Sequence, residues 1–332
     1  MSITNSQIVR NAAINTGLVG EGLLNPEQAR QFLRQTFEKA PLAGIVRHEM
    51  RRSPRGTLHK IGVGGDLLRL KEEGVDANED GSAPVFDPET GAITGYRAQP
   101  MFDFVPYQTR AVRLPWETTE EALRENIEGQ GLEATITWHM TNQLAVDLDR
   151  LWLNGDTEIA ADNPRRNFLK VNDGWIKRIS NGGHIYDASA HTNMSLDMFY
   201  GALSALPNKY NNGRLRWLMS PLRAQSWSMF LSNRAINNGS TAPESFYTHP
   251  VAIPITTIPS MPDDKIILAD PRNLIVVNTY DMKIRKTADG KEAIMRDMRF
   301  YVIHLDFDTI VEELDATCII ENIDTRADGG YA

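Results

Sequence analysis

The most regular hydrophobic pattern of the sequence lies near its middle, where an apolar side chain occurs at every fourth position. These positions are Leu132, Ile136, Met140, Leu144, Leu148 and Trp152. Side chains four residues apart are rotated by about 40° around an α-helix, so the apolar stripe winds around it. The pattern predicts a spine helix over 132–153, roughly 33 Å long, that packs against different elements along its length. Asn154–Gly155 is predicted to end this helix.

A shorter helix is predicted just before the spine helix. Thr118 and Glu121 have the spacing of a capping box, in which the two side chains satisfy backbone N–H groups at the start of a helix. Gly129 and Gly131 are expected to kink or break the helix before the spine helix begins, because glycine is a poor helix former.

The second half of the chain mixes helices and strands, which gives an α+β fold class. Ser195 is predicted to cap a helix that Pro207 ends, and Ser220 to cap another that begins at Pro221. Apolar runs and alternation predict strands at Arg214–Met219, Lys265–Ala269, Leu274–Asn278, Phe300–Val311 and Thr317–Asn322. A hairpin is predicted to turn at Asp289–Gly290, and Pro254 makes 251–258 an edge strand or a loop.

Two segments in the first third of the chain are predicted to need a partner. A helix from Asn25 to Pro41 carries a single apolar stripe, and the stretches 58–70 and 96–114 predict a long hairpin with few apolar residues. A single amphipathic helix and an isolated hairpin are at best marginally stable in water. We therefore expect both segments to lie on other surfaces, which indicates a protein that assembles.

Composition and charge exclude several classes of protein. The 332 residues are 41% hydrophobic and 23% charged, and no apolar run is long enough to span a bilayer. A formal net charge of −8 argues against a dedicated nucleic-acid binder. A polar stretch follows Met1, so no signal peptide is expected, and the single cysteine, Cys318, is interpreted as a buried strand thiol. These features predict a protein made in a reducing cytoplasm.

The charges are distributed unevenly along the chain. Four arginines surround His48, namely Arg47, Arg51, Arg52 and Arg55, whereas residues 71–90 are strongly acidic. The acidic residues are Glu72, Glu73, Asp76, Glu79, Asp80, Asp87 and Glu89. One interpretation is that the arginines of one copy contact the acidic tip of a neighbouring copy. The alternatives are that both segments are solvated, or that the arginines contact a nucleic acid.

The motifs that could carry chemistry are weak, and we predict no cofactor and no enzymatic activity. Asp76, Asn78, Asp80 and Asp87 have an EF-hand-like spacing, but Pro84 interrupts the loop, so an acidic hairpin tip is preferred to a calcium site. Asp306 and Asp308 are predicted to lie on a solvated strand face. The histidines lack a metal-ligand spacing, and no nucleotide-binding or hydrolase motif occurs.

Several stretches, taken in order, resemble the major capsid proteins of tailed phages of the Hong Kong 97 type. They are Leu148–Asp156, Leu203–Tyr210, Trp217–Ser220, Ile266–Asp270 and the strands up to Asn322. The resemblance covers nearly the whole chain, and it implies five regions. These are an N-terminal arm (1–46), an extended β-hairpin loop (47–114), a peripheral domain with the spine helix (115–184), an axial domain (185–299) and return strands of the peripheral domain (300–332). In that family, arms and extended loops lie across neighbouring subunits.

The resemblance implies a structural protein of the virion, assembled in the host cytoplasm as hexamers and pentamers of an icosahedral head. Its implied partners are further copies of itself, a separate scaffolding protein, a portal protein, a decoration protein and weakly held double-stranded DNA. Some relatives join subunits through a Lys–Asn bond, but Lys60 and Lys71 do not match that pattern. An encapsulin-like nanocompartment shell is the alternative with the same fold. A metal-dependent hydrolase that uses the acidic loop with Asp306 and Asp308 is the alternative from another class.

Overall fold

The computed structural model describes residues 13–14, 40–62, 85–86, 93–94, 101–125, 131–191, 194–238 and 249–324. These residues fall into two compact units: the hairpin unit, Arg55–Gln108, and the main unit, which combines Met1–Pro54 with Thr109–Ala332. No helix in the described part of the chain is long and apolar enough to cross a membrane.

The strands of the first half are β1 (Ala13–Ile14), β2 (Arg47–Met50), β3 (Arg55–Gly62), β4 (Val85–Phe86), β5 (Ile93–Thr94), β6 (Met101–Gln108) and β7 (Arg110–Thr119). Those of the second half are β8 (His184–Asp187), β9 (Arg216–Met219), β10 (Ile255–Thr257), β11 (Ile266–Ala269), β12 (Leu274–Asn278), β13 (Lys283–Thr287), β14 (Met298–Val311) and β15 (Thr317–Glu321). The helices are α1 (Glu120–Glu125), α2 (Leu132–Asn154), α3 (Arg166–Leu169), α4 (Trp175–Gly182), α5 (Leu196–Ala205), α6 (Pro221–Asn238) and α7 (Lys291–Arg296).

The first sheet of the main unit has the order β1-β7-β14-β12-β2, with β13 also paired to β14. Strand β14 is its longest element and pairs antiparallel with β7, β12 and β13. One face is buried: Trp116 stacks on Tyr301 with ring centroids 5.2 Å apart, and Ile303 and Leu305 belong to the same apolar core. The spine helix α2 contributes Leu144, Leu151, Trp152 and other side chains to that core.

The second sheet has the order β10-β9-β11-β15-β8 and carries its own apolar core. The ring of Phe199, on α5, contacts Trp217 and Trp227 edge to face, with centroids 4.9 Å and 5.1 Å away. Strands β11 and β15 in its centre are almost wholly buried. Cys318 lies there, and burial raises the pKa of its thiol to about 12, which confirms a buried strand thiol.

The two sheets are joined by two short crossings that lie side by side. One runs from Ala269 to Leu274 and the other from Val311 to Thr317. Asn273 connects them: its Nδ2 donates to the carbonyl oxygen of Glu313 at 2.7 Å, and its Oδ1 accepts the N–H of Glu313 at 2.8 Å. The N–H of Glu312 also donates to the Asn273 carbonyl oxygen at 3.0 Å. Three hydrogen bonds therefore fasten the crossings to each other.

The spine helix, the caps Ser195 and Ser220, and the buried strands are confirmed. Helix α2 runs from Leu132 to Asn154, and every residue of the predicted stripe from Ile136 to Trp152 packs into or against the core. The hydroxyls of Ser195 and Ser220 each accept a backbone N–H at 3.3 Å, at the starts of α5 and α6. Strand β10, just after Pro254, lies at a sheet edge as predicted.

Three local predictions need correction. The cap of α1 is Thr119, whose Oγ1 accepts the N–H of Ala122 at 3.2 Å, because Thr118 is still a buried residue of β7. The connection from β13 to β14 does not turn tightly at Asp289–Gly290, because α7 lies between the strands.

The third correction concerns the hairpin, whose strand pairing is found between β3 and β6 but over a shorter span than 47–114. Strand β2 pairs with β12, and β7 pairs with β14, so both belong to the main unit. Gly129 and residues 25–39 of the predicted helix lie outside the described residues. Pro41 directly precedes the 3-10 turn Leu42–Gly44, and Gly131 directly precedes α2.

Candidate assembly surfaces

One face of the hairpin unit exposes large apolar side chains. Ile61 pairs with Phe102, and His59 pairs with Phe104, across the antiparallel strands β3 and β6. Because directly opposed residues share a face and alternate residues return to it, these four side chains lie together. Ile61, Phe102 and Phe104 are 71%, 70% and 61% exposed. We call these four residues the hairpin patch.

The opposite face of the same strands is well packed. Leu58 and Tyr107 are buried there, and Lys60 Nζ lies 2.9 Å from Asp103 Oδ2. The hydrogen bond from Lys60 lowers the pKa of Asp103. The ring of Tyr107 covers Gly56, since a Cβ atom at Gly56 would lie 2.7 Å from the tyrosine oxygen. The strand pair therefore has one filled face and one apolar face that is open.

A second open surface lies on the first sheet of the main unit, on the face opposite Trp116 and Tyr301. It is a groove of about 630 Å³ with an apolar floor of Pro115, Phe300 and Val302. The register places Arg113, His304 and Lys283 in one cross-strand row beside this floor, and Arg285 opposite Val302. We call this surface the sheet groove. Glu117 also lines the groove, which therefore combines mostly cationic side chains with an apolar floor.

The basic cluster predicted from the sequence is partly used within the chain. Arg47 Nη1 lies 2.8 Å from Glu312 Oε2, and Arg47 and Arg51 lie 3.4 Å and 3.6 Å from oxygens of Glu49. Arg52 and Arg55 are exposed. Their predicted counterparts Glu72, Glu73 and Asp80 lie outside the described residues, as do the calcium candidates Asp76, Asn78 and Asp87.

The prediction that Asp306 and Asp308 lie on a solvated face is wrong, since each is only 3% exposed. Asp308 Oδ1 lies 2.9 Å from Arg178 Nη2. Asp306 accepts the N–H groups of Thr279 and Tyr280 at 2.9 Å and 3.4 Å, and also the hydroxyl of Thr279. Both carboxylates tie β14 to its neighbours. Within the described part of the chain, no three His, Cys, Asp or Glu side chains are grouped so that they could hold a metal ion.

Sequence reasoning missed a charged cluster beyond the end of the spine helix. Lys177 Nζ lies 2.7 Å, 2.9 Å and 3.0 Å from carboxylate oxygens of Asp156, Glu158 and Asp173. Burial alone would lower the pKa of Lys177, but the three carboxylates outweigh it and raise the pKa. The cluster fastens the loop after α2 to α4. Only the i,i+4 spacing of Asp173 and Lys177 gave a signal in the sequence.

Comparison with known proteins identifies the fold. In an alignment of 334 positions, the chain is 25% identical to a protein of Bacillus subtilis (strain 168) named as a prophage capsid protein, YqbE. The alignment covers 96% of this chain and 99% of that protein. No protein-family model matches the chain.

Solved shell proteins have the same architecture. The chain matches a subunit of the satellite phage P4 procapsid with a TM-score of 0.56 and 13% identity, covering 92% of this chain and 100% of the other. It matches a chain of the holo-SrpI encapsulin complex of Synechococcus elongatus PCC 7942 with a TM-score of 0.57 and 10% identity, covering 93% and 96%. These likenesses show that the chain has the α+β fold of Hong Kong 97-type phage capsid subunits, and the Bacillus relative supports a structural major capsid protein.

Proposed function

We propose that this protein assembles, as hexamers and pentamers, into the icosahedral head of a tailed phage that encloses double-stranded DNA. The observation that carries the proposal is the hairpin patch. Exposed apolar side chains that lie together commonly mark a surface that a partner protein covers. The prophage capsid relative spans nearly the whole chain, which supports a shell as the partner surface.

We further propose that a neighbouring copy covers the hairpin patch. The sheet groove offers a suitable surface, because its floor of Pro115, Phe300 and Val302 is apolar and open. Burying three large apolar side chains on such a floor would contribute about 1.5–3 kcal/mol for each side chain that becomes fully buried. Repeated in every subunit, this contact would favour closed shells over free subunits.

The experiment replaces both aromatic side chains of the patch with serine, as Phe102→Ser and Phe104→Ser in one chain. We expect folded subunits that form few or no closed shells, because the apolar contact is lost while the packed face of the hairpin is kept. Negative-stain microscopy and sedimentation velocity measure the outcome. The matched control, Phe102→Leu with Phe104→Leu, keeps apolar surface and should restore shells. Normal shells from the serine variant would contradict the proposal.

An encapsulin-like nanocompartment is the second candidate, favoured by the match to an encapsulin chain. Nucleic-acid content separates the two functions. Particles purified from an infected or induced host and treated with nuclease should retain protected double-stranded DNA if the protein forms a phage head. Particles that instead hold a protein cargo and no protected DNA would support a compartment.

A separate scaffolding protein, a portal protein and a decoration protein are proposed as partners of the head. Virion location with assembly in the host cytoplasm belongs to the same proposal. Metal analysis of the pure protein tests the hydrolase alternative, because a bound transition metal at one equivalent per chain would favour an enzyme.

A further inference from the structure

A carboxylate is buried where the chain enters the first sheet. Asp149, on the spine helix, is 2% exposed, and its Oδ2 accepts the N–H of Leu42 at 3.3 Å. Its Oδ1 is also buried and has no hydrogen-bond partner among the described residues. Buried polar atoms are nearly always hydrogen-bonded, so a half-satisfied carboxylate in a core indicates a role other than packing.

The segment that Asp149 holds is short, and we call residues 41–46 the arm joint. Leu42 begins a 3-10 turn, Leu42–Gly44, and the first N–H groups of such a turn have no partner within it. Asp149 supplies the missing acceptor from a distant part of the chain. Leu42 and Val46 insert into the core that contains Trp152. The joint is therefore held by Leu42 and Val46, with Ile45 packed against the same core, by the hydrogen bond to Asp149, and by the contact of His48 with the Ala43 carbonyl oxygen.

The protonation state of Asp149 changes the free energy of this docking. Burial raises the pKa of Asp149 from 3.8 to about 6, although the N–H of Leu42 opposes that rise. A protonated carboxyl can still accept the Leu42 N–H through its carbonyl oxygen, and it carries no buried charge. Because the pKa is higher in the docked state, docking takes up a proton. Docking is therefore stronger in acid and weakens as the pH rises through about 6.

The effect of Asp149 on the pH dependence must be distinguished from the effects of other titratable groups near the joint. His48 and Glu49 lie on β2, and Asp147 and Arg150 on the spine helix. The pKa of Asp149 is set by burial and by Leu42, with no contribution from these charges. His48 is the group to control for, since its Nε2 is 3.0 Å from the Ala43 carbonyl oxygen and its ring lies 5.9 Å from that of Trp152.

We propose that Asp149 is a proton-operated latch for the arm joint. A proton bound on the buried carboxyl tightens the docking of residues 41–46 on the spine helix, and its loss loosens them. The latch is a property of the subunit, and it holds whether or not the proposed phage-head function is correct.

Hydrogen exchange of the full-length protein tests the latch. Mass spectrometry would follow the peptide that covers 41–46 at about pH 5 and about pH 7.5, corrected for intrinsic exchange and referred to the core strand Ile266–Ala269. We expect protection of the joint to be about tenfold higher in acid, since one pKa unit corresponds to a factor of ten. Asp149→Asn should abolish the difference, and His48→Gln should preserve it.

Three results would overturn the latch. They are equal or lower protection of the joint in acid in the wild-type chain, a difference that persists in Asp149→Asn, and a difference that disappears in His48→Gln. The last result would assign the pH response to His48. Should Asp149→Asn fail to fold, as judged by exchange of the Ile266–Ala269 peptide, Asp147→Asn takes its place, because burial also raises the pKa of Asp147. A pH difference that disappears in Asp147→Asn would overturn the latch.

Discussion

Asp308 is a charged residue at a position where both faces of β14 are covered. Its side chain is buried, and the guanidinium of Arg178, on α4, lies 2.9 Å away. The N–H of Thr309 also donates to the same carboxylate oxygen at 2.9 Å. Burying a charge is costly unless it is paired and hydrogen-bonded. The ion pair with Arg178 is therefore needed for β14 to hold Asp308 in the core.

We predict that Arg178→Met lowers the free energy of unfolding by about 1–3 kcal/mol, because it leaves the Asp308 carboxylate buried without this cation. Chemical denaturation followed by tryptophan fluorescence measures the loss. Asp308→Asn in the same chain should restore part of the stability by removing the buried charge. The matched control is Arg166→Met, an exposed arginine on α3, for which a change below about 0.5 kcal/mol is expected. Equal losses in the two single variants would contradict a specific role for the pair.

At the scale of elements, the connection between the sheets depends on one amide side chain. Asn273 uses its donor and its acceptor on the backbone of Glu313, so it joins the end of one crossing to the middle of the other. An amide is suited to this position because its two ends have opposite hydrogen-bonding character. The sequence contains no signal for this contact, since the bonded residues are 40 positions apart.

We predict that Asn273→Ala destabilises the main unit by about 1–3 kcal/mol, because it removes both part-buried hydrogen bonds between the amide side chain and the Glu313 backbone. Differential scanning calorimetry should show the loss. Asn273→Asp keeps the acceptor and loses the donor, so an intermediate loss is expected. Asn208→Ala, at an exposed 3-10 turn, serves as the control and should change stability little. A loss for Asn273→Ala no greater than that of the control would show that the clamp is unimportant.

Element prediction succeeded where the signal is local. The spacing from Ile136 to Trp152 identified the spine helix, and Ser195 and Ser220 marked the starts of two further helices. The sequence does not distinguish Thr118 from Thr119 as the cap of α1, because adjacent threonines offer the same hydroxyl. Only the end of β7 decides between them, and that end is fixed by pairing with β14.

At the scale of the whole molecule, the charge distribution bears on how copies meet. We keep the proposal that basic residues contact the acidic residues between 71 and 90 of a neighbouring copy. Arg47 and Arg51 lie close to carboxylates of their own chain. Arg51, Arg52 and Arg55 are all exposed, and Arg52 and Arg55 are the two residues chosen for the test.

We predict that Arg52→Glu with Arg55→Glu raises the protein concentration needed for shell assembly severalfold. Each exposed ion pair contributes only about 0–1 kcal/mol, but every subunit repeats it. Light scattering over a concentration series measures the threshold. Adding Glu72→Arg and Glu73→Arg should lower the threshold again by restoring opposite charges, and added salt should weaken the wild-type assembly. An unchanged threshold in the first variant would remove these arginines from the interface.

The α+β architecture was predictable because the order of helices and strands is written in local patterns. The surfaces were harder to predict. The hairpin patch depends on the register of β3 with β6, and the sheet groove depends on the pairing of β14 with β7, which is far away in the sequence. A one-residue change of register would turn every side chain to the opposite face, so neither surface could be read from the sequence.

The side-by-side crossings between the two sheets also have a mechanical consequence. A single connection could bend and let the two sheets move apart. Two crossings that are hydrogen-bonded to each other through Asn273 resist such bending. In a shell of such subunits under internal pressure, each subunit would deform little and would pass the load to its neighbours. The contacts between subunits would then take up most of the deformation.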